Sequence, residues 1–324
     1  MFFMKKIGVL TSGGDSQGMN SAIRAVVRTG LARGFEVVGI RRGYNGLIEK
    51  DFTTLGSKDV GDILYRGGTF LQSARSEEFR TEEGQMKAVN NLKEAGIEYL
   101  VVIGGDGSYR GAAKLSEQGI KTYGLPGTID NDIPLTEYTI GFDTTLNVVM
   151  EAIGNLRDTM SSHERVSVIE VMGRDSGDIA LHAGIASGVD AILVPELPWD
   201  IKETSEKLRS GFSRGKTHSI VMVAEGVGKA ENIAHLIKEY SGLDTRSTVL
   251  GHIQRGGTPS AFDRIFTSRM GHKVVELMEK DIYGVALGME KNEITYHSFE
   301  DIFAGRETKK ALNKKLYQVF EDLI

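Results

Sequence analysis

Residues 101–108 read Val101-Val102-Ile103-Gly104-Gly105-Asp106-Gly107-Ser108, and they set the pattern for the whole chain. An apolar run with the character of a strand leads into a glycine-rich turn, and an amphipathic stretch follows the turn. Because short apolar runs and amphipathic stretches alternate from one end of the sequence to the other, we predict parallel sheets covered by helices on both faces. In such an α/β protein, ligands collect beyond the carboxyl ends of the strands.

The predicted strands are short apolar runs, and the predicted helices are the amphipathic stretches between them. Strands are predicted at 6–10, 36–40, 99–103, 121–125, 166–171, 191–194, 219–224 and 247–250. Helices are predicted at 19–33, 84–95, 144–159, 176–186, 199–212 and 261–279. A weak internal repeat suggests two lobes, since residues 9–18 and 171–177 both place Gly, Asp and Ser at a turn from strand to helix. We therefore expect two Rossmann-like, three-layer lobes with a soft boundary near residue 140.

Composition excludes several classes of protein. The chain has 324 residues, of which 40% are hydrophobic and 26% charged, a profile typical of a globular protein rather than a disordered one. Its net charge of −5 argues against general binding to nucleic acid or to an anionic membrane. It has no cysteine, which excludes disulfides and cysteine-ligated zinc, and no apolar run long enough to span a bilayer. With no signal peptide apparent, we expect a cytoplasmic protein.

Two glycine turns are candidate phosphate sites. Residues 11–15 form a Thr-Ser-Gly-Gly-Asp turn whose backbone amides, aimed by the following helix, would suit phosphate oxygens. A tight connection without a ligand is the alternative, and the turn is not a P-loop because no Gly-Lys-Ser or Gly-Lys-Thr follows. The turn at 104–108 is more specific. Its glycines would let a nucleotide approach the backbone, and Asp106 would supply the hard oxygen ligand that Mg²⁺ prefers.

The segment 126–134 reads Pro-Gly-Thr-Ile-Asp-Asn-Asp-Ile-Pro and follows another apolar run. If the segment is extended, Thr128, Asp130 and Asp132 project to one side while Ile129 and Asn131 project to the other. One carboxylate could then accept the proton of an attacking hydroxyl, and the second could increase its basicity or help to order a metal ion. The alternative is a polar turn whose Asn and Asp side chains make local hydrogen bonds.

Arginines in predicted loops could balance these acids. Arg75 and Arg174 follow apolar segments, Arg165 begins a strand, and Arg246 precedes the Gly-His-Ile-Gln-Arg-Gly-Gly stretch at 251–257. The guanidinium group suits phosphate and stays charged at neutral pH. Any of these side chains taken singly could be a solvated surface residue. Next to glycine turns, His252 and Arg255 are stronger candidates for an anion site.

The motifs at 10–15, 104–108, 126–132, 172–174 and 251–257 resemble those of the bacterial ATP-dependent 6-phosphofructokinases, in the family's order and spacing. The resemblance extends to about residue 310. It implies an active site in the cleft between the two lobes and transfer of the γ-phosphoryl group of ATP to the 1-hydroxyl of fructose 6-phosphate, a step of glycolysis. It also implies an ATP-binding lobe at 1–140, completed by 254–306, and a fructose 6-phosphate-binding lobe at 141–253, completed by 307–324.

The resemblance also implies a role for individual residues. ATP would be held by Gly14, Arg75, Ser76, Gly105, Asp106, Gly107 and Ser108, with Mg²⁺ at Asp106. Asp130 would be the catalytic base, assisted by Thr128, Asp132, Arg174, Gly14 and Arg75. The sugar phosphate would contact Thr128, Asp130, Arg165, Met172, Gly173, Arg174, Glu225, Arg246, His252 and Arg255. Arg165 and Arg246 would reach the substrate of the adjacent subunit, which implies a homotetramer with shared active sites.

An effector site for ADP or phosphoenolpyruvate is implied as well. Its residues would be Arg24, Arg28, Arg157, Gly188, Asp190, Arg214, Lys216 and His218. Arg24 and Arg28 lie four apart on one helix face, where a solvated surface is the alternative interpretation. The chain departs from the family at Ser57, Asp190 and Thr217, where arginine, glutamate and lysine are expected. We therefore predict weak regulation by these effectors.

Three other functions share part of this pattern. Relatives that use pyrophosphate carry Asp in place of Gly107 and Lys in place of Gly127, and those side chains would crowd the α-phosphate of ATP. Both positions are glycine here, which favours ATP as the donor. Kinases of NAD or diacylglycerol share the Gly-Gly-Asp-Gly turn but lack the 126–132 and 251–257 motifs. A non-catalytic nucleotide-sensing protein would be expected to have lost Asp106 or Asp130.

Overall fold

The computed structural model describes residues 5–160, 162–305 and 313–324, and it confirms the predicted α/β architecture with mainly parallel sheets. The strands are β1 Lys6–Ser12, β2 Glu36–Ile40, β3 Phe52–Thr54, β4 Ile97–Gly104, β5 Lys121–Pro126, β6 Val166–Val171, β7 Ala191–Leu193, β8 Ser219–Ala224, β9 Thr245–Val249, β10 Val285–Glu290 and β11 Glu293–Ser298. The helices are α1 Met19–Ala32, α2 Gly43–Glu49, α3 Glu82–Glu94, α4 Asp106–Glu117, α5 Phe142–Met160, α6 Asp178–Ser187, α7 Ile201–Ser213, α8 Ala230–Ser241, α9 Ala261–Glu279, α10 Phe299–Ala304 and α11 Lys314–Leu323.

The described residues fall into two units. The first contains the chain up to Ile129, then Ile133–Thr144, and the stretch that begins at Arg255. The second contains Asp130–Asp132, Thr145–Gln254 and the C-terminal helix α11. The binding role of each lobe stays a prediction, and the predicted boundary between 306 and 307 lies outside the described residues.

The first unit contains a seven-stranded sheet in the order β11-β10-β5-β4-β1-β2-β3. The pairs among β10, β5, β4, β1 and β2 are parallel, and only the outer pairs β10–β11 and β2–β3 are antiparallel. In the register of the central pair, Val9 lies opposite Val101 and Ser12 lies opposite Gly104. Both glycine turns therefore follow neighbouring strands and emerge at the same edge of the sheet.

Helices cover both faces of this sheet because the central strands are apolar on both sides. Along β4, Tyr99, Val101 and Ile103 belong to a core completed by α1 and α9. Leu100 and Val102 face the opposite way, into a second core completed by α3 and α4. This alternation is the two-residue period of a strand, and it explains why the predicted strands lacked a polar face.

The second unit contains a four-stranded, fully parallel sheet in the order β7-β8-β6-β9. Val168 of β6 and Val221 of β8 lie opposite each other and pack against Ile233 of α8 and Leu208 of α7. The register places the end of β6, which leads into the loop at 172–174, beside the end of β8, which leads into Glu225.

In the part of the chain that the structure describes, no helix combines the length and the apolar character needed to cross a bilayer.

Candidate active site

The 104–108 turn joins β4 to α4. A Cβ atom on Gly104 would lie 2.4 Å from the carbonyl oxygen of Ser12, so this position accepts only glycine. Ser108 is 4% exposed, and its hydroxyl fills the space beside Gly104. At Gly107, by contrast, an added Cβ would meet no atom within 4 Å. The turn therefore presents open space at the start of a helix and at the carboxyl end of the sheet, where an anion is favoured.

Asp106 is the first residue of α4, and its carboxylate is partly exposed. Arg110, one helical turn later, lies 3.2 Å from Oδ2 of Asp106. Among the described residues, no group of three or more His, Cys, Asp or Glu side chains could hold a metal ion on its own. One carboxylate does fit Mg²⁺, because that ion usually binds one or two carboxylates and completes its shell with phosphate oxygens and water.

The side chain of Tyr44 supports the 104–108 turn, a role that the sequence pattern did not predict. Its hydroxyl donates a 2.5 Å hydrogen bond to the carbonyl oxygen of Ser108, and its ring stacks on Phe79 at 4.0 Å. Burial raises the pKa of Tyr44, so the hydroxyl keeps its proton. The adjacent Asn45 donates to the carbonyl of Arg75 at 3.2 Å. Helix α2 thus connects the turn to the segment that carries Arg75 and Ser76.

The first glycine turn, at 11–15, is held by two long-range contacts. Nη1 of Arg255 donates to the carbonyl of Asp15 at 2.7 Å and occupies the space that a Cβ on Gly14 would enter. Ser73 donates to the carbonyl of Gly13 at 2.5 Å. Arg255 was predicted to contact the sugar phosphate, and the structure places its guanidinium group against the glycine turn.

Asp130 is 1% exposed, and its carboxylate lies 3.3 Å from Nε of Arg174. The expectation that 128–132 is extended is wrong at Asn131, where φ is +52°. A left-handed residue interrupts the two-residue alternation, so the segment does not present Thr128, Asp130 and Asp132 on one common face. Thr128 instead lies beside the 104–108 turn, since a Cβ atom added to Gly105 would be 3.7 Å from the Cβ of Thr128.

Arg174 lies on a loop that two side-chain acceptors hold, the half-buried Glu225 and the buried Gln254. Oε1 of Glu225 accepts from the amides of Gly173 and Arg174 at 3.1 and 2.7 Å. Oε1 of Gln254 accepts from the amide of Met172 at 3.1 Å. Gly173 has φ +136° and Arg174 has φ +53°, so the loop needs this support. Glu225 was predicted as a substrate contact and Gln254 had no predicted role; both position the loop.

The two arginines that begin neighbouring strands of the second unit share one partner. Arg165 precedes β6 and lies 3.5 Å from Asp244, and Arg246 of β9 lies 3.6 Å from the same carboxylate. His252 is exposed on the short 3₁₀ turn that follows β9. Arg165 and Arg246 therefore lie at the amino ends of two parallel strands, whereas His252 lies at the opposite, carboxyl end of β9.

Part of the predicted effector site also comes together in the second unit. Arg157 donates to the carbonyls of Ser187 and Gly188, at 2.5 and 3.1 Å, and Lys216 forms an ion pair with Asp190. Burial, and then Arg157, lower the pKa of Lys216. The same two effects, followed by the charge of Lys216, lower the pKa of His218.

A cavity of about 800 Å³ opens beside this cluster in the second unit. Gly188, Asp190, Arg214 and Lys216 line one end of it, and Trp199 lies further along. Arg24 and Arg28 lie on α1 of the first unit, where burial and the neighbouring charge of Arg28 lower the pKa of Arg24.

Comparison with known proteins gives one consistent result. The phosphofructokinase family model matches residues 6–278. The chain is 54% identical to an ATP-dependent 6-phosphofructokinase of Lactobacillus johnsonii over 99% of each chain, and 55% identical to one of Paenibacillus macquariensis over 98% of each. Among solved structures, it resembles phosphofructokinase from Saccharomyces cerevisiae with a TM-score of 0.91 and 36% identity. That match covers 98% of this chain and 50% of the yeast chain.

A pyrophosphate-dependent phosphofructokinase from Marinobacter aquaeolei matches with a TM-score of 0.81 at 21% identity, over 92% of this chain and 84% of the other, and so shows the fold alone. The family model and the curated relatives span nearly the whole chain and include every motif described above. The chain belongs to the phosphofructokinase family.

Proposed function

We propose that this protein catalyses the ATP-dependent phosphorylation of fructose 6-phosphate, giving fructose 1,6-bisphosphate and ADP. The observation that carries the proposal is the pairing of Asp130, a carboxylate almost completely removed from solvent, with the partly exposed Arg174. Curated relatives more than half identical to this chain bear the name of that activity.

Asp130 is the proposed general base. Its carboxylate accepts the proton of the 1-hydroxyl as the hydroxyl oxygen attacks the γ-phosphorus of ATP. The bond from the γ-phosphorus to the β,γ-bridging oxygen breaks, and ADP leaves with that oxygen. Burial supports this role, because a carboxylate that is packed among protein atoms is held in one orientation.

Arg174 is the proposed stabiliser of the transferred phosphoryl group. Its guanidinium group touches Asp130 through Nε, which leaves the two terminal nitrogens for phosphoryl oxygens. In phosphoryl transfer, positioning and charge neutralisation supply most of the catalysis. Glu225 accepts hydrogen bonds from the backbone amides of Gly173 and Arg174, and these support the role because they hold Arg174 in its left-handed conformation.

ATP is the proposed donor, held by the 105–108 turn, Gly14, Arg75 and Ser76. Kinases of this family require a divalent metal ion, and we propose Mg²⁺ beside Asp106. The bound ion would neutralise phosphate charge. Asp106 is suited to hold it because the carboxylate stands at the start of α4, where the helix dipole favours phosphate oxygens. Arg110 balances that carboxylate when no cation does.

The two glycines used to predict the donor do not support it equally. Open space surrounds the Cβ position of Gly107, so a side chain there would enter room that a nucleotide can use. A Cβ on Gly127 would instead lie 2.9 Å from Cε of Met19 and 3.1 Å from the amide nitrogen of Gly104. Gly127 is therefore required by internal packing in this chain. Gly107 is therefore the position that favours ATP over pyrophosphate.

Assembly, regulation and location are further parts of the proposal. Arg165 and Arg246 on one sheet edge support a homotetramer in which they reach a neighbouring subunit's substrate. Regulation by ADP or phosphoenolpyruvate is expected to be weak, because Asp190 already pairs with Lys216 and accepts from the amide of Ile220. A kinase of glycolysis acts in the cytoplasm, which is the proposed location.

The test is a coupled assay of fructose 1,6-bisphosphate formation, run in parallel with MgATP and with Mg-pyrophosphate. We expect activity with ATP alone. Asp130→Ser should lose about 10²- to 10⁴-fold in kcat, the usual contribution of a general base, with little change in fructose 6-phosphate affinity. Asp62→Ser, at an exposed carboxylate with no proposed role, is the matched control. Activity with pyrophosphate alone would overturn the donor, and near-normal turnover in Asp130→Ser would overturn the base.

A further inference from the structure

We propose that Asn131 is the residue that positions the catalytic base, through its hydrogen bond to Asp178. The inference rests on the proposed role of Asp130. Asn131 is the next residue in the chain and is 3% exposed, so its side chain is packed among protein atoms. Its Nδ2 donates to Oδ2 of Asp178 at 2.9 Å.

The backbone at Asn131 makes the orientation of Asp130 depend on this residue. At φ +52° most side chains are strained, whereas asparagine tolerates the left-handed region. In an extended segment successive side chains alternate in direction. The left-handed backbone at Asn131 breaks that alternation directly after Asp130, whose carboxylate lies beside Arg174. A residue that relaxed to negative φ would move that carboxylate.

Asp178 is a rigid acceptor. It lies in the first turn of α6, where the helix dipole favours a negative charge. The start of that helix is itself held, because the amide of Gly177 donates to Oε1 of Glu196 at 2.7 Å. A Cβ on Gly177 would lie 2.4 Å from Cγ1 of Val194, which shows how tightly the helix start is packed. Hydrogen bonds to a carboxylate are also stronger than neutral ones.

The same helix start controls the partner of the base. Arg174 lies four residues before Asp178, and between them the amide of Ser176 donates to the carbonyl of Gly173 at 2.9 Å. Ser176 in turn accepts from the amide of Asp178 at 3.3 Å. The first turn of α6 therefore contacts both segments. It holds the segment of Asp130 through the hydrogen bond from Asn131 to Asp178, and it holds Arg174 through the loop at 173–176.

Four variants separate the left-handed conformation of residue 131 from its hydrogen bond to Asp178. Asn131→Gly keeps access to positive φ and removes the side chain, while Asp178→Ala removes the acceptor and leaves residue 131 intact. Asn131→Asp sets two carboxylates against each other. In the double variant Asn131→Asp with Asp178→Asn, the amide and the carboxylate exchange places, so the bond can form in the opposite direction.

We expect Asn131→Gly and Asp178→Ala each to lower kcat about 10- to 100-fold, the range caused by a misplacement of about 1 Å, while both KM values change less than about threefold. Asn131→Asp should fall at least as far, and the exchanged double variant should recover about tenfold over it. Thermal unfolding checks that each variant is folded, and the exposed Asn232→Ala in the same unit should match the wild type.

Two results would overturn the inference while the wild-type enzyme stays active with ATP. One is a kcat within about twofold of wild type in both Asn131→Gly and Asp178→Ala. The other is an exchanged double variant no faster than Asn131→Asp. If the wild type itself makes no fructose 1,6-bisphosphate, it is the proposed function that fails.

Discussion

Asp263 should make this protein less stable as the pH rises from about 4 to about 6. The carboxylate is fully buried at the start of α9 and accepts from the amides of Gly141 and Thr144, each at 3.0 Å, and from the hydroxyl of Thr144. Burial raises the pKa of Asp263 from 3.8 to about 6, against the opposing effect of these hydrogen bonds, and the nearby charge of Asp143 raises it further.

The magnitude and its sign follow from this shift. Between the two pKa values the folded protein holds a proton at Asp263 that the unfolded chain has lost, so the free energy of unfolding falls with rising pH in that window. A difference of about two pKa units corresponds to about 3 kcal/mol, at about 1.4 kcal/mol per unit. Above pH 6 both states are ionised and this contribution no longer changes with pH.

The Asp263→Asn variant isolates this contribution because an amide does not titrate here. Its NH₂ group would face one of the two donors, either Gly141 or Thr144, so we expect the variant to lose about 1–3 kcal/mol relative to a protonated Asp263. Urea unfolding of both proteins at several pH values gives the difference in stability directly. The stability of the wild type minus that of the variant should fall by about 2.5 kcal/mol between pH 4 and pH 7, so that it approaches zero or changes sign.

Asp62→Asn, at an exposed carboxylate, is the control and should leave the pH dependence unchanged. A difference between wild type and Asp263→Asn that stays constant over this range would refute the reasoning. A difference that grows with pH would do so too, since it would mean that the hydrogen bonds, rather than burial, dominate the ionisation of Asp263.

Three further substitutions test the proposed nucleotide site and the glycines used to predict the donor. Gly107→Asp should leave the urea midpoint near wild type, because the Cβ enters open space, while steady-state kinetics show KM for ATP rising about tenfold or more from charge repulsion; an unchanged KM would remove the donor argument. Gly127→Ala should lower the free energy of unfolding in urea by about 1–3 kcal/mol, because its Cβ meets the backbone of Gly104; a variant as stable as wild type would contradict that packing. Tyr44→Phe keeps the stacked ring but leaves the carbonyl of Ser108 without this donor, so KM for ATP should rise about fivefold while KM for fructose 6-phosphate stays constant. Equal changes in both KM values would show that Tyr44 does not act on the nucleotide turn specifically.

The strands and helices predicted from the sequence occur in the structure, and β2, β6, β8 and α9 have the predicted bounds. The sequences of those elements contain continuous apolar runs or a clear periodicity, which makes them predictable. Strands β3, β10 and β11 and helices α2, α8, α10 and α11 were not predicted individually. The three strands lie at or near the edges of the seven-stranded sheet, and β3 and β11 are partly exposed, so their sequences carry a weaker apolar signal.

The sequence by itself determined the class of fold, the glycine turns and the residue types available to the chemistry. These depend on local properties: apolar periodicity, the backbone freedom of glycine and the proximity of Asp130 to Asp132 in the chain. Only the tertiary structure decided how those residues are held. Arg255 reaches the 11–15 turn from the far end of the chain, and Asn131 adopts a left-handed conformation tied to Asp178. The Asn131–Asp178 contact joins residues 47 positions apart, and the Arg255–Asp15 contact joins residues 240 positions apart. No local pattern encodes such contacts, because partners that distant in the chain meet only when folding brings their loops together within one unit.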